Sequence, residues 1–216
     1  MPTMRIPQKQ RLILDCVPWN RYTRILRDLS DRHLRVTYDR GFLEIMTISH
    51  EHDNLAEFLD MLLIILFREM KLPFRLGGST TLRRRRKQKG VEPDKCYWIA
   101  HAAQVRGKKA IDLRRDPPPD LALEVDITHS SLDRMRIYAS LKVPEVWRWD
   151  KAGLSFMGLN EKGEYASLPT SRTLPIPVTP ADLMTFIAMR EGRDDSEVME
   201  PFTLWVRSRM ANQPQE

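Results

Sequence analysis

The sequence predicts a mixed α/β fold in which a central mixed sheet is flanked by helices. Three observations lead to this prediction. Apolar residues recur at helical spacing in several segments and alternate at strand spacing in others. These segments follow one another as helix, hairpin, long helix, three strands, helix and strand, an order typical of a sheet covered by helices. Of the 216 residues, 42% are hydrophobic, which suffices for a sizeable core.

The first segments predict a helix, a hairpin and a second, longer helix. Residues 20–29 carry apolar side chains at helical spacing, whereas residues 33–38 and 42–48 alternate like strands. Gly41 supplies the positive φ angle that a tight turn between these strands needs. Ser49 is placed to cap the long helix, because its hydroxyl can accept a hydrogen bond from a free backbone N–H of the first turn.

Two strands and a basic loop are predicted next. Residues 74–82 form a strand in which Gly77 and Gly78 mark a bulge or a bend. The run that follows is a basic loop, which in most proteins is only solvated but which can also contact phosphate. Residues 95–100 form the next strand. The candidate nucleic-acid contacts of the loop are Arg83, Arg84, Arg85, Arg86 and Lys87.

An acidic strand at residues 117–126 is the most informative part of the chain. Successive side chains of a strand point to opposite faces, so Asp120, Glu124 and Asp126 share one face while the other face is apolar. Carboxylates so close together repel one another, and a divalent cation such as Mg²⁺ is a common compensation. The alternative is an exposed edge strand whose acids face water.

The sequence beyond this strand predicts a helix, a strand, a hairpin and two terminal helices. Ser130 or Ser131 is placed to cap the first of these helices, which ends near Leu141. The later segments are the strand 145–149, the hairpin strands 154–158 and 165–168, and the helices 181–189 and 196–209.

Acids on two successive strands predict a metal site. Asp94 begins one strand, and Asp120 with Glu124 lies on the next. If these strands are neighbours in the sheet, their carboxylates converge near the start of the helix that carries Arg134. Acids that hold Mg²⁺ beside a cation suit metal-assisted hydrolysis of a phosphodiester bond, since charge develops on the phosphate during that reaction.

Charge and composition restrict the partners and the compartment. The formal net charge of +6 favours an acidic partner such as nucleic acid. Cys16 and Cys96 form no metal-binding or disulfide pattern, which is typical of a reducing cytoplasm. The apolar run 61–67 is too short to span a bilayer, so we expect a soluble cytoplasmic protein without a membrane partner.

Several collinear blocks resemble one known family. They read DRGFLEIMTISHEH, GGSTTLRRR, GVEPDKCYWI, DPPPDLALEVDITHSSLDRMRIYASLKVPEVWRWD and FTLWVR. This pattern resembles the Uma2 family of restriction-endonuclease-like proteins, also called the DUF820 type, within the PD-(D/E)XK nuclease superfamily. The resemblance covers most of the chain and implies a restriction-endonuclease-like fold, a Mg²⁺ (or Mn²⁺) cofactor and a DNA substrate.

The resemblance also implies roles for individual acids. Asp94 corresponds to the first metal-binding acid of the family. Asp120 and Glu124 correspond to the acids of the second motif, with Glu124 as the favoured direct ligand. Glu44 and His52 lie near the first-helix region, where a side chain often completes the metal site. For His52, a local hydrogen bond at the start of the helix is the alternative interpretation.

The basic residue of the second motif departs from the superfamily pattern. Asp126 stands two residues after Glu124, where that basic residue is usual, and is a candidate accessory residue. The family places a lysine on the next helix, four residues before a tyrosine. Here that position is Arg134, four before Tyr138. Arginine can bind phosphate or orient water, but it stays protonated and cannot act as a general base.

These inferences define the expected organisation and function. We expect an N-terminal extension at 1–18, a nuclease-like domain at 19–178 and a C-terminal helical segment at 179–216 packed on the same domain. The leading hypothesis is a Mg²⁺-dependent DNA endonuclease, for which a two-fold homodimer would suit cleavage of both strands. The alternatives are a nuclease-fold DNA-binding protein that has lost catalysis and a regulatory protein that uses the fold as a scaffold.

Overall fold

The computed structural model describes residues 10–212, apart from residues 33, 48, 79 and 127–129. Within that part of the chain, two β-sheets and six helices form, which confirms the predicted α/β class. The strands are β1 Arg11–Leu14, β2 Leu34–Asp39, β3 Phe42–Thr47, β4 Arg75–Leu76, β5 Leu82–Arg84, β6 Lys89–Val91, β7 Lys95–Trp98, β8 Leu121–Val125, β9 Glu145–Asp150, β10 Gly153–Leu159 and β11 Tyr165–Leu168. The helices are α1 Trp19–Asp28, α2 His50–Glu69, α3 Ala102–Val105, α4 Arg134–Leu141, α5 Pro180–Ala188 and α6 Asp195–Ala211.

The six-stranded sheet is mixed and has the order β11-β10-β9-β8-β7-β4. Strands β8 and β9 are parallel, and the other neighbours are antiparallel. Leu121, Leu123 and Val125 of β8 point to one face, where α2, α5 and α6 form the main core with them. Ala122 points to the other face and packs against α4. Because both faces are covered, every residue of β8 is buried.

The five-stranded sheet is antiparallel, with the order β1-β3-β2-β6-β5. Alternation along β2 divides its side chains between two faces. Val36 and Tyr38 belong to a core cluster with α1, and the Tyr38 ring stacks on Tyr22 with centroids 4.4 Å apart. Arg35 and Thr37 occupy the intervening positions. Arg35 donates to Asp94, which directly precedes β7 of the other sheet, and Thr37 accepts from Arg134 of α4. The second sheet therefore covers part of the first.

The predicted hairpin and long helix are confirmed by β2, β3 and α2, although positions 33 and 48 lie outside the described residues. Gly41 has a φ of +95°, as the turn requires. The Ser49 hydroxyl accepts a hydrogen bond from His52 N at 3.3 Å and so caps α2. None of the helices in the described ranges has the length and apolar character needed to cross a bilayer.

The segment predicted as one strand at 74–82 is instead divided between the two sheets. Strand β4 pairs with β7, whereas β5 pairs with β6 of the five-stranded sheet. The glycine pair permits this change of direction. A Cβ on Gly77 would lie 2.5 Å from Cys96 Sγ and from the Trp98 ring, and Gly78 has a φ of +53°. The basic run is likewise not a loop, because it forms β5, a 3-10 turn at Arg85–Lys87 and β6.

One further prediction needs correction. Helix α4 begins at Arg134 and is capped by Asp133, whose carboxylate accepts a hydrogen bond from Arg136 N at 2.9 Å. Neither Ser130 nor Ser131 caps it, because Glu44 binds both of them. In the expected N-terminal extension, which is described only from residue 10, β1 pairs with β3 as an edge strand.

Candidate active site

The carboxylates of Asp94 and Glu124 converge between the two sheets. Asp94 directly precedes β7, and Glu124 lies on the adjacent antiparallel strand β8, in which Leu123 pairs with Lys95. Asp94 Oδ2 accepts a hydrogen bond from the backbone N–H of Val125 at 2.6 Å, so it touches the residue that follows Glu124. The two acids are only 2% and 5% exposed. Buried carboxylates in such proximity require positive charge nearby.

Arg35 and His52 surround Asp94. The Arg35 guanidinium donates from Nε at 2.9 Å and places Nη2 at 2.8 Å from the same Oδ1 atom. His52 Nε2 lies 3.3 Å from Oδ2. Burial by itself would raise the pKa of Asp94, but the hydrogen bond from His52 and the charge of Arg35 lower this pKa to about 2. Asp94 is therefore an anion at neutral pH.

Arg134 and Tyr138, one turn apart on α4, hold Glu124. Arg134 places Nε 2.5 Å from Glu124 Oε1 and donates from Nη2 to Oε2 at 2.8 Å, and the Tyr138 hydroxyl donates to Oε2 at 2.7 Å. The guanidinium also donates to Thr37 Oγ1 at 2.8 Å and to the Glu92 carbonyl at 2.7 Å. Burial raises the pKa of Glu124 and the charge of Arg134 opposes this, while Glu124 in turn raises the pKa of Arg134.

His52 is part of this group rather than only a helix-terminal residue. Burial lowers the pKa of His52, but the hydrogen bond to Asp94 and the Asp94 charge outweigh burial and raise it above its ordinary value. Of the two interpretations that the sequence left open, the structure places the imidazole beside the acid pair. The protonated form can donate from Nε2 to Asp94.

Asp120, which was expected to share the site, lies elsewhere. It directly precedes β8, whereas Glu124 is the fourth residue of that strand. Its Oδ2 accepts hydrogen bonds from Ile99 N at 2.6 Å and His101 N at 3.1 Å, and Oδ1 lies 2.5 Å from His101 Nδ1. The structure therefore does not bring Asp120 to the acid pair, because its carboxylate fixes the chain that leads into α3.

Glu44 and Asp126 border the site without joining the acid pair. Glu44 is fully buried and accepts hydrogen bonds from Ser131 N at 2.8 Å and from the Ser130 hydroxyl. It thereby fixes the segment that leads into α4. Asp126 accepts from Arg148 Nη2 at 3.0 Å. Asp126, Arg148 and Glu124 are among the residues that line a cavity of about 170 Å³.

Comparison with known proteins assigns the chain to a family. Residues 19–186 match the model of the Uma2 family, described as "Putative restriction endonuclease". The chain belongs to the Uma2 family. Family membership and the mixed sheet flanked by helices together confirm the predicted restriction-endonuclease-like fold class. The description of the family and the fold point to a nuclease.

Among solved structures, this Uma2 protein is similar to a "putative nuclease belonging to DUF820" from Anabaena variabilis ATCC 29413. The two chains share 11% sequence identity with a TM-score of 0.49, and the match covers 69% of this chain and 89% of the other. No curated protein matches the chain.

Arg35 and Thr37 were missed in the sequence because their strand seemed to expose them. In β2 they alternate with buried apolar residues, a pattern typical of a strand with one solvated face. The second sheet instead turns that face toward the acids of the Uma2 site. An arginine and a threonine two residues apart in a strand were the available signal, but the acid that pairs with Arg35 is 59 residues away.

Basic side chains line three surface cavities along β5, the 3-10 turn and β6. The first has a volume of about 600 Å³, with Arg27, Arg75, Arg83, Lys108 and Lys109 in its walls. The second is lined by Arg84, Arg85, Arg86, Lys87, Gln88 and Arg114. The third includes Arg40, Lys87, Lys89, Arg136 and Lys142. We call these cavities together the basic band. Among the described residues, no Asp or Glu lines any of the three.

The acid pair fits a divalent cation by its donor chemistry. Within the described ranges, no three His, Cys, Asp or Glu side chains are grouped as metal ligands. Mg²⁺ nevertheless usually takes only one or two protein carboxylates, with water and substrate phosphate as the other ligands. Asp94 and Glu124 provide hard oxygen ligands. In the structure, Arg35 and Arg134 supply the two positive charges that compensate these acids.

Proposed function

We propose that this Uma2 protein is a divalent-metal-dependent endonuclease that hydrolyses phosphodiester bonds of DNA. The observation that carries the proposal is the pair of buried carboxylates, Asp94 and Glu124, from adjacent strands with Arg134 beside them. Two acids and a fixed cation are the parts that metal-assisted phosphodiester hydrolysis requires. Membership of a nuclease family supports this interpretation of the site.

Asp94 and Glu124 would hold the metal ion, for which Mg²⁺ or Mn²⁺ is the candidate. A bound divalent ion supplies a water of lowered pKa and neutralises charge that develops on the phosphate. Asp120 is not included in this ligand pair, because its carboxylate binds the backbone at Ile99 and His101.

Arg134 has an electrostatic role in this proposal. It stays protonated at any physiological pH, so it cannot accept a proton from water. Its bonds to Thr37 and to the Glu92 carbonyl keep the guanidinium in place independently of Glu124. Held in this way, Arg134 can donate hydrogen bonds to a phosphate oxygen, since guanidinium matches phosphate in geometry and charge.

Arg35, His52 and Tyr138 position the acids. Arg35 and His52 keep Asp94 ionised and fix both of its oxygens. The Tyr138 hydroxyl fixes Glu124 Oε2. Buried acids that are oriented in advance need little reorganisation when a phosphate approaches, which is how an enzyme site stabilises developing charge.

The basic band supports nucleic acid as the substrate class. Its cationic side chains include the five residues that we expect to contact nucleic acid. Arg83 lines the first cavity, and Arg84–Lys87 line the second. Contacts from lysine and arginine side chains to the phosphate backbone do not read the base sequence. They release the counterions condensed on the backbone, which makes binding depend on salt. The expected binding is therefore salt-dependent and tolerant of sequence.

A plasmid assay tests the proposal. We expect the purified full-length chain to nick or linearise supercoiled DNA with Mg²⁺ or Mn²⁺ and to be inactive with a chelator. Glu124→Gln should abolish cleavage. Glu57→Gln is the matched control, because Glu57 is an exposed acid that pairs with Lys95 at 2.6 Å. Absence of cleavage with every metal, or equal cleavage by Glu124→Gln, would reject the proposal.

A second candidate function is a Uma2 protein that binds DNA without cutting it. It is favoured by the contacts of Glu124, both of whose oxygens face Arg134 while Oε2 also accepts from Tyr138. In this case the arginine replaces the metal ion as the counter-charge of the acid. The wild-type chain would then bind DNA with no metal-dependent cleavage, and Arg134→Lys would confer cleavage. Under the leading proposal the wild-type chain already cleaves.

A further inference from the structure

Strand β1 forms one edge of the five-stranded sheet. Hydrogen bonds to β3 are made by alternate residues of β1, as in any antiparallel pair. Thr47 N donates to the Gln10 carbonyl at 3.0 Å, so Leu12, two residues further, also bonds toward β3. The backbone N–H and C=O of Ile13 consequently point away from β3, toward the open edge. Among the described residues, β1 pairs with no strand other than β3.

Large apolar side chains are concentrated at this edge. In the part of the chain that the structure describes, six large hydrophobic side chains are exposed, and four of them lie on β1 or at the start of β3. They are Leu12 at 52%, Ile13 at 46%, Leu14 at 36% and Phe42 at 52% exposure. An edge strand with exposed apolar side chains is a template for pairing with another strand unless charges or proline block it.

We propose that β1 pairs with β1 of a second copy of this chain around a two-fold axis at Ile13. An isologous contact requires a surface that is complementary to itself. Antiparallel pairing centred on Ile13 places Ile13 opposite Ile13 of the partner subunit. It uses the outward backbone groups of Ile13 and joins the two five-stranded sheets edge to edge.

The charges that flank the strand agree with this register. With Ile13 on the axis, Arg11 of each chain lies opposite Asp15 of the other, which gives two pairs of opposite charge. Arg11 is 42% exposed on its side chain and lies 3.9 Å from Glu44 of its own chain. Asp15 is exposed and directly follows β1 after Leu14. A slip by one residue would place Arg11 opposite Leu14 or Cys16 of the partner subunit, so the charges favour a single register.

Disulfide trapping tests the register directly. In a Cys16→Ser background, which leaves only the buried Cys96, Ile13→Cys should form a covalent dimer under mild oxidation. Opposed residues of a hydrogen-bonded pair have Cα atoms about 5.5 Å apart, within the range of a disulfide. Leu12→Cys is the matched control, since position 12 lies opposite Leu14 of the partner and should cross-link poorly with itself.

The oligomeric state of the full chain provides the second readout. Sedimentation velocity should show a concentration-dependent dimer. Ile13→Pro removes the outward N–H without removing a bond to β3, and Asp15→Arg opposes two like charges, so each should weaken dimerisation about tenfold or more. Combining Asp15→Arg with Arg11→Asp should restore the dimer. Ile13→Ala, which keeps the N–H, should weaken it less than Ile13→Pro.

Dimerisation through β1 does not depend on nuclease activity, so failure of the plasmid assay would not argue against it. The proposal is overturned if the wild-type chain stays monomeric at all concentrations, or if a dimer forms that Ile13→Pro leaves intact and Ile13→Cys does not cross-link. Thermal melting of each variant shows whether it is folded, and Ile13→Cys serves as the decisive variant if Ile13→Pro does not fold.

Discussion

At the scale of single residues, the acid pair is defined by the partners that compensate it. Asp94 is ionised because Arg35 and His52 face it, and Glu124 is held by Arg134 and Tyr138. Removing one partner of such a buried ion pair lowers the free energy of unfolding by more than the intact pair contributes to it. The remaining charge is then buried without water or a counter-charge. Substitutions at these positions therefore report on the site through stability as well as through activity.

The hydroxyl of Tyr138 gives the first prediction at this scale. Tyr138→Phe removes a hydrogen bond to a buried carboxylate and should lower the free energy of unfolding by about 1.5–3 kcal/mol. Tyr165→Phe is the matched control, because the Tyr165 hydroxyl donates at 2.6 Å to the neutral carbonyl of Val143. Its loss should cost about 0.5–1.5 kcal/mol. Urea unfolding of the two variants measures the difference, and an equal effect would argue against a charged Glu124.

The Arg134–Glu124 pair gives the second prediction. Arg134→Met should destabilise the protein by about 3–5 kcal/mol, because Glu124 is left buried without its counter-charge. The double variant Arg134→Met with Glu124→Leu should be destabilised by much less than the sum of the two single changes. A double-mutant cycle of unfolding free energies checks this, and additive effects would contradict the pairing.

Sequence reasoning found the acids of the site more readily than their partners. Asp94 and Glu124 could be located because acids on two successive strands stand out from an apolar background. Arg134 was identified through the family resemblance, which implies a basic residue four positions before a tyrosine. Arg35 and Thr37 could not be located, since their contacts depend on how the second sheet lies over the first. Asp120 was grouped with Glu124 because the two share a strand face, but proximity along the strand did not bring their carboxylates to one point.

At the scale of elements, the site depends on how the five-stranded sheet is fastened over α4 and β8. Glu92, just after β6, accepts from Val36 N at 3.0 Å and from the Thr81 hydroxyl at 2.7 Å, and its carbonyl accepts from Arg134. Glu44 on β3 holds the segment that precedes α4. Both acids link elements that are distant in sequence, which is why periodicity alone could not predict the second sheet or the start of α4.

The pairing of β2 with β6 gives a prediction about pH. Burial raises the pKa of Asp39, but hydrogen bonds from Lys89 and Arg40 outweigh burial and lower it below its ordinary value. An acid with a lowered pKa contributes stability above its unfolded-state pKa, here near 3.8, and this contribution is lost as the pH falls through the folded-state pKa. Lys89, 2.7 Å from Asp39, is itself 8% exposed.

Asp39→Asn should therefore lower the free energy of unfolding at neutral pH by about 1–3 kcal/mol, since a buried ammonium group loses its partner. The difference from the wild-type chain should shrink as the pH falls below about 4. Urea unfolding across this pH range checks the prediction. A difference that stays constant would show that the ion pair does not stabilise the pairing of β2 with β6.

At the scale of the whole molecule, the basic band lies at the surface, whereas the acid pair is buried. The +6 net charge is expressed in cavities that no described Asp or Glu lines, while the acids of the site are buried and paired. Composition predicted a polyanion partner, but only the fold shows that Arg83 to Lys87 lie next to basic residues from other parts of the chain.

The basic band should set the salt dependence of DNA binding. The triple change Arg83→Gln, Arg85→Gln and Arg86→Gln should weaken binding and reduce the slope of log affinity against log salt by about 2–3. A matched triple change at Arg68, Arg172 and Arg193, which are exposed but line none of the three basic cavities, should leave the slope unchanged. Fluorescence anisotropy with labelled duplex over a salt series measures both, and equal slopes would contradict a DNA-binding role of the band.

A crystal structure of the protein with Mn²⁺ and a DNA duplex would show whether Asp94 and Glu124 hold a catalytic divalent ion, as we propose. We expect an anomalous Mn²⁺ peak within bonding distance of carboxylate oxygens of both residues, with a phosphate oxygen of the DNA in contact with Arg134. A DNA complex that cleaves in solution but carries its ion elsewhere, or that keeps Arg134 on Glu124 with no ion between the acids, would contradict the proposal.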